Sequence, residues 1–385
     1  MLSSLTRTFI LFIICTALLL PTLSASRDNI MYKDQVAVLM YHHVHDTDKS
    51  SGTITTQLFS DQLEYLIEKG YNFISMEQFD EFMNGGSVPP NAALVTFDDG
   101  YNSFYTNAYP VLKRLHIPSI TFMITETLDN PNKWNIPFMT RGDLAAMTMD
   151  STLAEPQCHT HGMHNKTNQN GAYLITRLPT ADGGTETHQQ YDSRVVNDIK
   201  QCAREIQSVA PGIKVDHLAY PYGIYDAHSI ELLKQAGMKY AFTIVPEMAT
   251  RDVDLMQIPR INAGGPYISP QSLHNSILRR VVATHAEEDE VPLGKTLKQL
   301  GGFAHMEGDN IDINYHGKLF YAKSDSNIVL NEQGDQIELS QPIIKKERAN
   351  VIRLVDLEKI LGDNLVYNPA TLRYIVRTTP VRQVN

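Results

Sequence analysis

Cysteine is scarce, with three in 385 residues, too few for a disulfide scaffold. Positive charge is outnumbered: 33 Lys+Arg face 43 Asp+Glu, a formal net charge of −10. That excludes the non-specific nucleic-acid binding that clustered positive charge supports. Charged residues make up only 20% of the chain against 42% hydrophobic, so composition excludes a disordered protein and supplies a core. No Gly-x-x-x-x-Gly-Lys pattern occurs, which removes P-loop phosphoryl transfer. Past the N-terminal thirty residues no apolar run is long enough to span a membrane. The length accommodates two domains at roughly 100–200 residues each.

At the N-terminus, Arg7 is the only charge before Arg27, and an apolar stretch runs from Thr8 to Leu20. It is shorter than the roughly 20 residues of a membrane span and fits the core of a signal peptide. Small residues Ser24, Ala25 and Ser26 follow, so residues 1–25 are expected to be an export signal, with an uncleaved anchor as the alternative. Cys15 lies inside the apolar stretch without the small residues a lipoprotein site needs. The rest of the chain is expected outside the cytoplasm, secreted or at the cell surface or wall. Export would permit a disulfide between Cys158 and Cys202; the plainer expectation is two buried, unpaired thiols.

From residue 35 to 282, short apolar runs alternate with helical patterns. The runs are 36–40, 93–97, 119–124, 218–220 and 241–244; the helical patterns are 58–70, 109–115, 195–209 and 227–237. This rhythm predicts an α/β domain with a parallel sheet or barrel, buried on both faces. Residues 283–290 carry Glu287-Glu288-Asp289-Glu290 and read as a solvated acidic linker. Residues 291–378 read as a small α+β domain. Leu297-x-x-Leu300-Gly301 and Leu357-x-x-Ile360-Leu361-Gly362 are each followed by a strand pattern, a weak internal duplication.

Three segments carry chemistry, each just after a predicted strand, where the loops of α/β folds build active sites. In Thr96-Phe97-Asp98-Asp99-Gly100 two carboxylates are adjacent. Desolvated like charges are costly to keep ionised without a cation, so one Asp is expected to hold a metal and the other to act as base. Read alone, Asp-Asp-Gly is a turn. In Cys158-His159-Thr160-His161-Gly162-Met163-His164 three imidazoles crowd one segment, and imidazole is a common ligand for zinc and related ions. With one carboxylate they would leave an open coordination position; the alternative is a metal-free His-rich loop. In Leu218-Ala219-Tyr220-Pro221-Tyr222-Gly223 a strand ends in a turn that can expose a backbone N–H as an oxyanion donor.

These three segments, in this order, resemble the polysaccharide deacetylases of carbohydrate esterase family 4. Val38-Leu39-Met40-Tyr41-His42-His43-Val44 is similar to the family's opening segment, and Leu255-x-x-Ile258-Pro259-Arg260-Ile261 to a strand near its end. The resemblance covers roughly residues 35–280. It implies a distorted (β/α) barrel holding a divalent metal, usually zinc. By motif position it implies Asp99, His159 and His164 as metal ligands, Asp98 as general base, and the Tyr222 N–H as oxyanion donor. His42 and Pro221 would line the substrate site, and His161 falls at a variable position outside the ligand set. The five-residue separation of His159 and His164 resembles the subgroup acting on poly-β-1,6-N-acetylglucosamine; peptidoglycan and chitin-like polymers are the other candidate substrates.

The sequence departs from the family in two places. No Arg stands beside Tyr220-Pro221, where many relatives carry one that tunes the base. The late Leu-x-His motif is absent, and His274 and His285 have the wrong neighbours, so the general acid is unassigned. Residues 291–378 resemble the N-terminal-like accessory domain named after copper amine oxidases. His305 and His316 are isolated there, so no copper site is expected; attachment to the cell wall is. The expected function is metal-dependent N-deacetylation of an N-acetylglucosamine polysaccharide. An O-acetyl esterase and a catalytically weak glycan-binding protein on the same fold are the alternatives.

Overall fold

The computed structural model describes residues 30–282, 290–346, 349–369 and 371–378. The expected export signal, residues 1–25, and the acidic linker 283–290 apart from Glu290 lie outside the described residues.

The first region carries strands β1 (Gln35–Tyr41), β2 (His43–Val44), β3 (Thr53–Ile54), β4 (Asn72–Phe73), β5 (Ala92–Phe97), β6 (Ser119–Met123), β7 (Ala154–Cys158), β8 (His217–Ala219), β9 (Tyr240–Phe242), β10 (Ala249–Thr250) and β11 (Ile261–Asn262). One sheet runs in the order β10-β1-β5-β6-β7-β8-β9, with β4 also on β5 and β11 on β1. All its pairings are parallel except β10 with β1. The sheet curls into a half-barrel, and a bridge between Phe242 and Ile258 leads from β9 toward β11. The parallel sheet is what the alternation of strand and helix predicts, and the distorted barrel is what the family resemblance implies.

Successive residues of a strand face opposite sides, and here both sides are cores. Val36, Val38, Ala92, Leu94, Ile120 and Phe122 point into the barrel, where Phe79 and Phe82 of the helix Met76–Met83 meet them. Ala37, Leu39, Ala93 and Val95 point outward, under Phe59, Leu63 and Leu66 of the helix Thr56–Glu68. Every residue of β1 and β5 is therefore buried. That explains why these strands read as unbroken apolar runs.

The exception is β7, the strand expected ahead of His159, whose sequence Ala-Glu-Pro-Gln-Cys has no apolar run. Gln157 faces the interior, but its amide donates to the Lys214 carbonyl and its oxygen accepts from the His217 N–H. With both groups satisfied, a polar strand is tolerated at the barrel's centre. The helix predicted at 195–209 begins earlier, at His188, behind a Thr187/Gln190 capping box. Its polar first turns hid it from the apolar period.

One expectation is corrected. Cys158 and Cys202 are bonded as a disulfide rather than left as free thiols, with Cα atoms 6.0 Å apart, within the range a disulfide spans. The helix His188–Val209 packs along β7 and brings Cys202 against the strand end.

The second region carries β12 (Glu290–Pro292), β13 (Phe303–Glu307), β14 (Asn310–Tyr315), β15 (Lys318–Lys323), β16 (Ile328–Asn331), β17 (Gln336–Glu338), β18 (Ile344–Lys346), β19 (Ala349–Arg353), β20 (Asn364–Asn368) and β21 (Arg373–Arg377). Two strand–helix–hairpin units are visible. β12, the helix Leu293–Gln299 and the hairpin β13–β14 form one; β19, the helix Leu354–Leu361 and the hairpin β20–β21 form the other. β12 and β19 pair antiparallel. The first hairpin extends through β15 and β16 to β17 as a five-stranded sheet. The region has its own core around Leu297, Ile313, Phe320, Leu357 and Leu365. Arg377 reaches the edge strand of the barrel, meeting Thr250 Oγ1 at 2.5 Å and Asp252 at 3.2 Å.

Candidate metal centre

Asp98 follows β5 in the interior-facing register of Ala92, Leu94 and Thr96. Asp99 should then turn away, but its φ of 73° bends the chain and brings the second carboxylate to the same end of the barrel. Gly100 continues the bend at φ 78°, where a Cβ would meet the Met123 sulfur at 2.9 Å. His159 follows β7, on the interior face. Thr160 turns back at φ 73°. Asp198 then accepts the N–H groups of His161 and Gly162, both at 2.7 Å, pinning the turn that returns His164 to the site.

The structure brings Asp99, His159 and His164 together. Their ligand-type atoms lie within 4.8 Å of one another, with Asp99 Oδ1 3.4 Å from His159 Nε2 and 3.3 Å from His164 Nε2. His159 Nδ1 donates to the Ala219 carbonyl at 2.7 Å. A carbonyl only accepts, so Nδ1 carries a proton and Nε2 is the ring atom that faces Asp99. This is the outer arrangement that orients a metal-ligating histidine. Burial lowers the His159 pKa, but Asp99 and Asp98 outweigh it and hold it above the ordinary value, so a bound cation would take the place of the proton on Nε2. Burial and the neighbouring His159 push the His164 pKa down to about 4, so its imidazole is neutral at pH 7, as a ligand must be. Burial pushes the Asp99 carboxyl up, but His159, His164 and His42 outweigh it and hold the group well below its ordinary range. The donor set fits a divalent cation such as zinc.

Asp98 is locked by a residue whose role no local motif reveals. Arg260 grips it with two parallel bonds, Nη1 to Oδ1 at 2.6 Å and Nη2 to Oδ2 at 2.7 Å. The Arg260 side chain is wholly buried and donates from Nε to the Thr243 carbonyl at 2.8 Å. The Arg missing beside Tyr220-Pro221 is therefore supplied from elsewhere: one does sit on Asp98, delivered by the segment ahead of β11. Its only sequence signal is the Ile258-Pro259-Arg260-Ile261 motif. Burial raises the Asp98 pKa, yet Arg260 pulls it further down and leaves it below the usual carboxylate value.

Tyr222 occupies a short turn, 221–223, with φ 59°. The Gly223 and Ile224 N–H groups close that turn on Tyr220 and Pro221. Among the described residues the Tyr222 N–H donates to no backbone carbonyl. Its ring lies 4.5 Å from His164 with Lys166 above it. Pro221 is buried in the turn. His42 is a third exposed at the rim, its Nε2 3.8 Å from Asp98 Oδ2. Tyr101, whose hydroxyl pKa is raised by burial and the nearby Asp99 carboxylate, and Trp134, 6.3 Å from His164, complete the walls; neither carried a motif. His161 bonds Thr125 and stays outside the ligand group. His274 is paired with Tyr71 on the outer helix Pro270–Leu278, and His285 is outside the described residues. A second group, His43, His45 and Asp48, also clusters. His43 already binds Ser103 and Asp48, and the Asp48 N–H donates to His45.

Residues 85–241 match the polysaccharide deacetylase family. A poly-beta-1,6-N-acetyl-D-glucosamine N-deacetylase of Staphylococcus epidermidis is 27% identical over 243 residues, 60% of this chain and 79% of that protein. One from Staphylococcus aureus is 26% identical over 210 residues, 54% of this chain and 67% of that protein. Among solved structures, the BpsB deacetylase domain of Bordetella bronchiseptica is 28% identical with a TM-score of 0.52, covering 60% of this chain and 96% of that one. IcaB from Ammonifex degensii is 25% identical with a TM-score of 0.53, covering 64% and 98%. The family match takes in Asp98, Asp99, His159, His164 and Tyr222; His42, Arg260 and the second region lie beyond it.

Proposed function

We propose, since the chain carries a polysaccharide deacetylase domain, that it removes acetyl groups from N-acetylglucosamine units of a β-1,6-linked polymer outside the cytoplasm. The observation that carries this reading is the clustering of Asp99, His159 and His164 beside an Arg260-locked Asp98. Asp99, His159 and His164 would hold the cation, zinc by the chemistry of the donors. A divalent cation in such a site supplies a Lewis acid and lowers the pKa of water toward neutrality.

Asp98 is the base, accepting a proton from the attacking water. The bidentate Arg260 keeps it ionised and fixed in direction, so it is ready without rearrangement. The Tyr222 N–H donates to the oxygen that becomes negative as the acetamide carbonyl turns tetrahedral. His42 fills the vacancy left for an acid: it is the partly exposed imidazole beside Asp98, and it would protonate the amine as the C–N bond breaks, releasing acetate. Pro221 shapes the turn behind Tyr222, and Tyr222 and Trp134 offer ring faces to the sugar. Export is supported by the apolar stretch Thr8–Leu20 and by the Cys158–Cys202 disulfide, which suits an oxidising compartment.

The test is acetate release by the purified, metal-loaded chain on β-1,6-linked N-acetylglucosamine oligomers, chitin oligomers and peptidoglycan, with and without chelator. Chelator-sensitive release, greatest on the β-1,6 oligomers, is expected. Release that chelator leaves untouched would overturn the metal reading. Binding without release on all three would favour a glycan-binding protein.

A further inference from the structure

The outward face of the five-stranded sheet β13–β17 has a composition that its fold does not require. Directly opposed residues on antiparallel strands share a face. Ile311, Ile313, Phe320 and Val329 point inward and are buried. On the other face the register aligns His305, Asp312, Tyr321, Leu330 and Gln336 in one row across all five strands. Glu307, Asn310 and Lys323 form the next row. Tyr321 is 43% exposed and Leu330 37%. They line a shallow groove of about 480 Å³ together with Asp312, Asn310 and Gln336.

A Tyr ring flanked by amides and carboxylates suits a sugar. The C–H face of a pyranose lies on the ring, and its hydroxyls find Asn310 and Gln336. The charge points to one kind of sugar. Glu307, Asp312 and Glu338 face outward on this side against a single Lys323, an excess of negative charge. Deacetylation turns a neutral acetamide into a protonated amine, so its product is a polymer with positive charges along its length. Charge-assisted bonds from ammonium to carboxylate are the stronger kind.

We propose that the open face of β13–β17, centred on Tyr321 and Asp312, binds the glucosamine-containing stretches of the polymer that the barrel has deacetylated. The proposal rests on the deacetylase reading. In this arrangement the second region holds the enzyme on polymer it has already modified while the barrel works on acetylated units nearby.

The test uses the full chain and two variants, Tyr321→Ala and Asp312→Asn. Both positions are exposed, so folding is preserved, as circular dichroism should register. Binding of β-1,6-linked glucosamine oligomers and of their fully N-acetylated counterparts is measured by calorimetry. The same preparations are assayed for acetate release from a short acetylated oligomer. Wild type is expected to prefer the glucosamine oligomer, less so at high salt. Each variant should bind it about tenfold more weakly, the scale of one aromatic or charged contact, with acetate release unchanged. Variants that bind like wild type, or a wild type that binds neither oligomer, would overturn the proposal. So would a wild-type dimer in sedimentation that Tyr321→Ala dissolves, since the face would then join two copies. Variant-sensitive binding without any acetate release would sink the deacetylase reading and leave the binding face standing.

Discussion

Asp98 is nearly sealed from solvent, and its charge is tolerable only because Arg260 is buried against it. The pair is a working part with a structural cost: removing one partner strands the other. Arg260→Met should therefore cost about 3–5 kcal/mol of stability, read by chemical denaturation, as well as activity. A loss within about 1 kcal/mol would mean that Asp98 finds another partner. Asp98→Asn is the functional probe, since the amide keeps the shape and still neighbours Asp99, though it too leaves the buried Arg260 without its counter-charge. It should retain metal at wild-type stoichiometry, measured by elemental analysis, while acetate release falls by roughly 10²–10⁴-fold. Wild-type turnover would take Asp98 out of the base role. Neither outcome is visible from Asp-Asp-Gly alone, because the residue that decides the behaviour of Asp98 enters 162 positions later.

At the scale of elements, β8 and the helix Met76–Met83 meet through His217 at the barrel's far end from the Asp99, His159 and His164 cluster. Its Nε2 is 3.2 Å from Asp80 Oδ1 and its Nδ1 is 2.8 Å from Asp216 Oδ1, the latter a close ion pair rather than an aligned hydrogen bond. Burial lowers the His217 pKa, but Asp216 and Asp80 outweigh it and hold it above the ordinary value. Lys214 also faces Asp216 at 2.6 Å, and burial raises Glu155 nearby. A histidine raised in the folded state stabilises fully below the unfolded pKa of about 6.5 and loses that contribution as pH climbs through the folded value. Wild type should thus lose stability relative to His217→Gln as pH rises above about 6.5, read as denaturation midpoints across pH. Parallel curves would show that His217 is neutral throughout.

The disulfide works at the same scale. It joins the end of β7, one residue before His159, to the helix that pins the His161–Gly162 turn, across a separation of 44 residues. Closing a loop of that size is worth about 4 kcal/mol by chain entropy. Cys202→Ala should lower the melting temperature accordingly, and reductant should lower that of wild type but not of the variant. Equal melting with and without reductant would place both thiols in the reduced state.

At the scale of the molecule, the second region is tied to the barrel's edge strand β10 through Arg377, with Thr378 bonded to Glu247 and Asn368 to the Leu278 carbonyl. Arg377 is buried, so the tie is more than a surface ion pair. Arg377→Ala should loosen it: small-angle scattering should give a larger radius of gyration, with acetate release from short oligomers within about twofold of wild type. An unchanged radius would mean that the remaining contacts suffice.

The kinds of element and the chemistry available were legible from residue order. Apolar runs sheathed on both sides announced β1, β5, β6, β8 and β9, and the Asp-Asp and His-rich segments announced a metal-binding vocabulary, because burial and ligand type are properties of residues. Which residues share a site was settled by the folded chain. β7 has no apolar run, since Gln157 is satisfied by partners on β8 and the segment before it. The left-handed bends at Asp99 and Thr160 aim side chains in ways composition does not encode. Arg260 reaches Asp98 only because the curled sheet sets β11 beside β1, whose other neighbour is β5. Cys158 and Cys202 pair for a related reason: their separation is set by the packing of a helix on a strand. The row across β13–β17 exists only in the register of five strands. Local physics fixes what each segment can be, and closure of the sheet fixes what the segments do together.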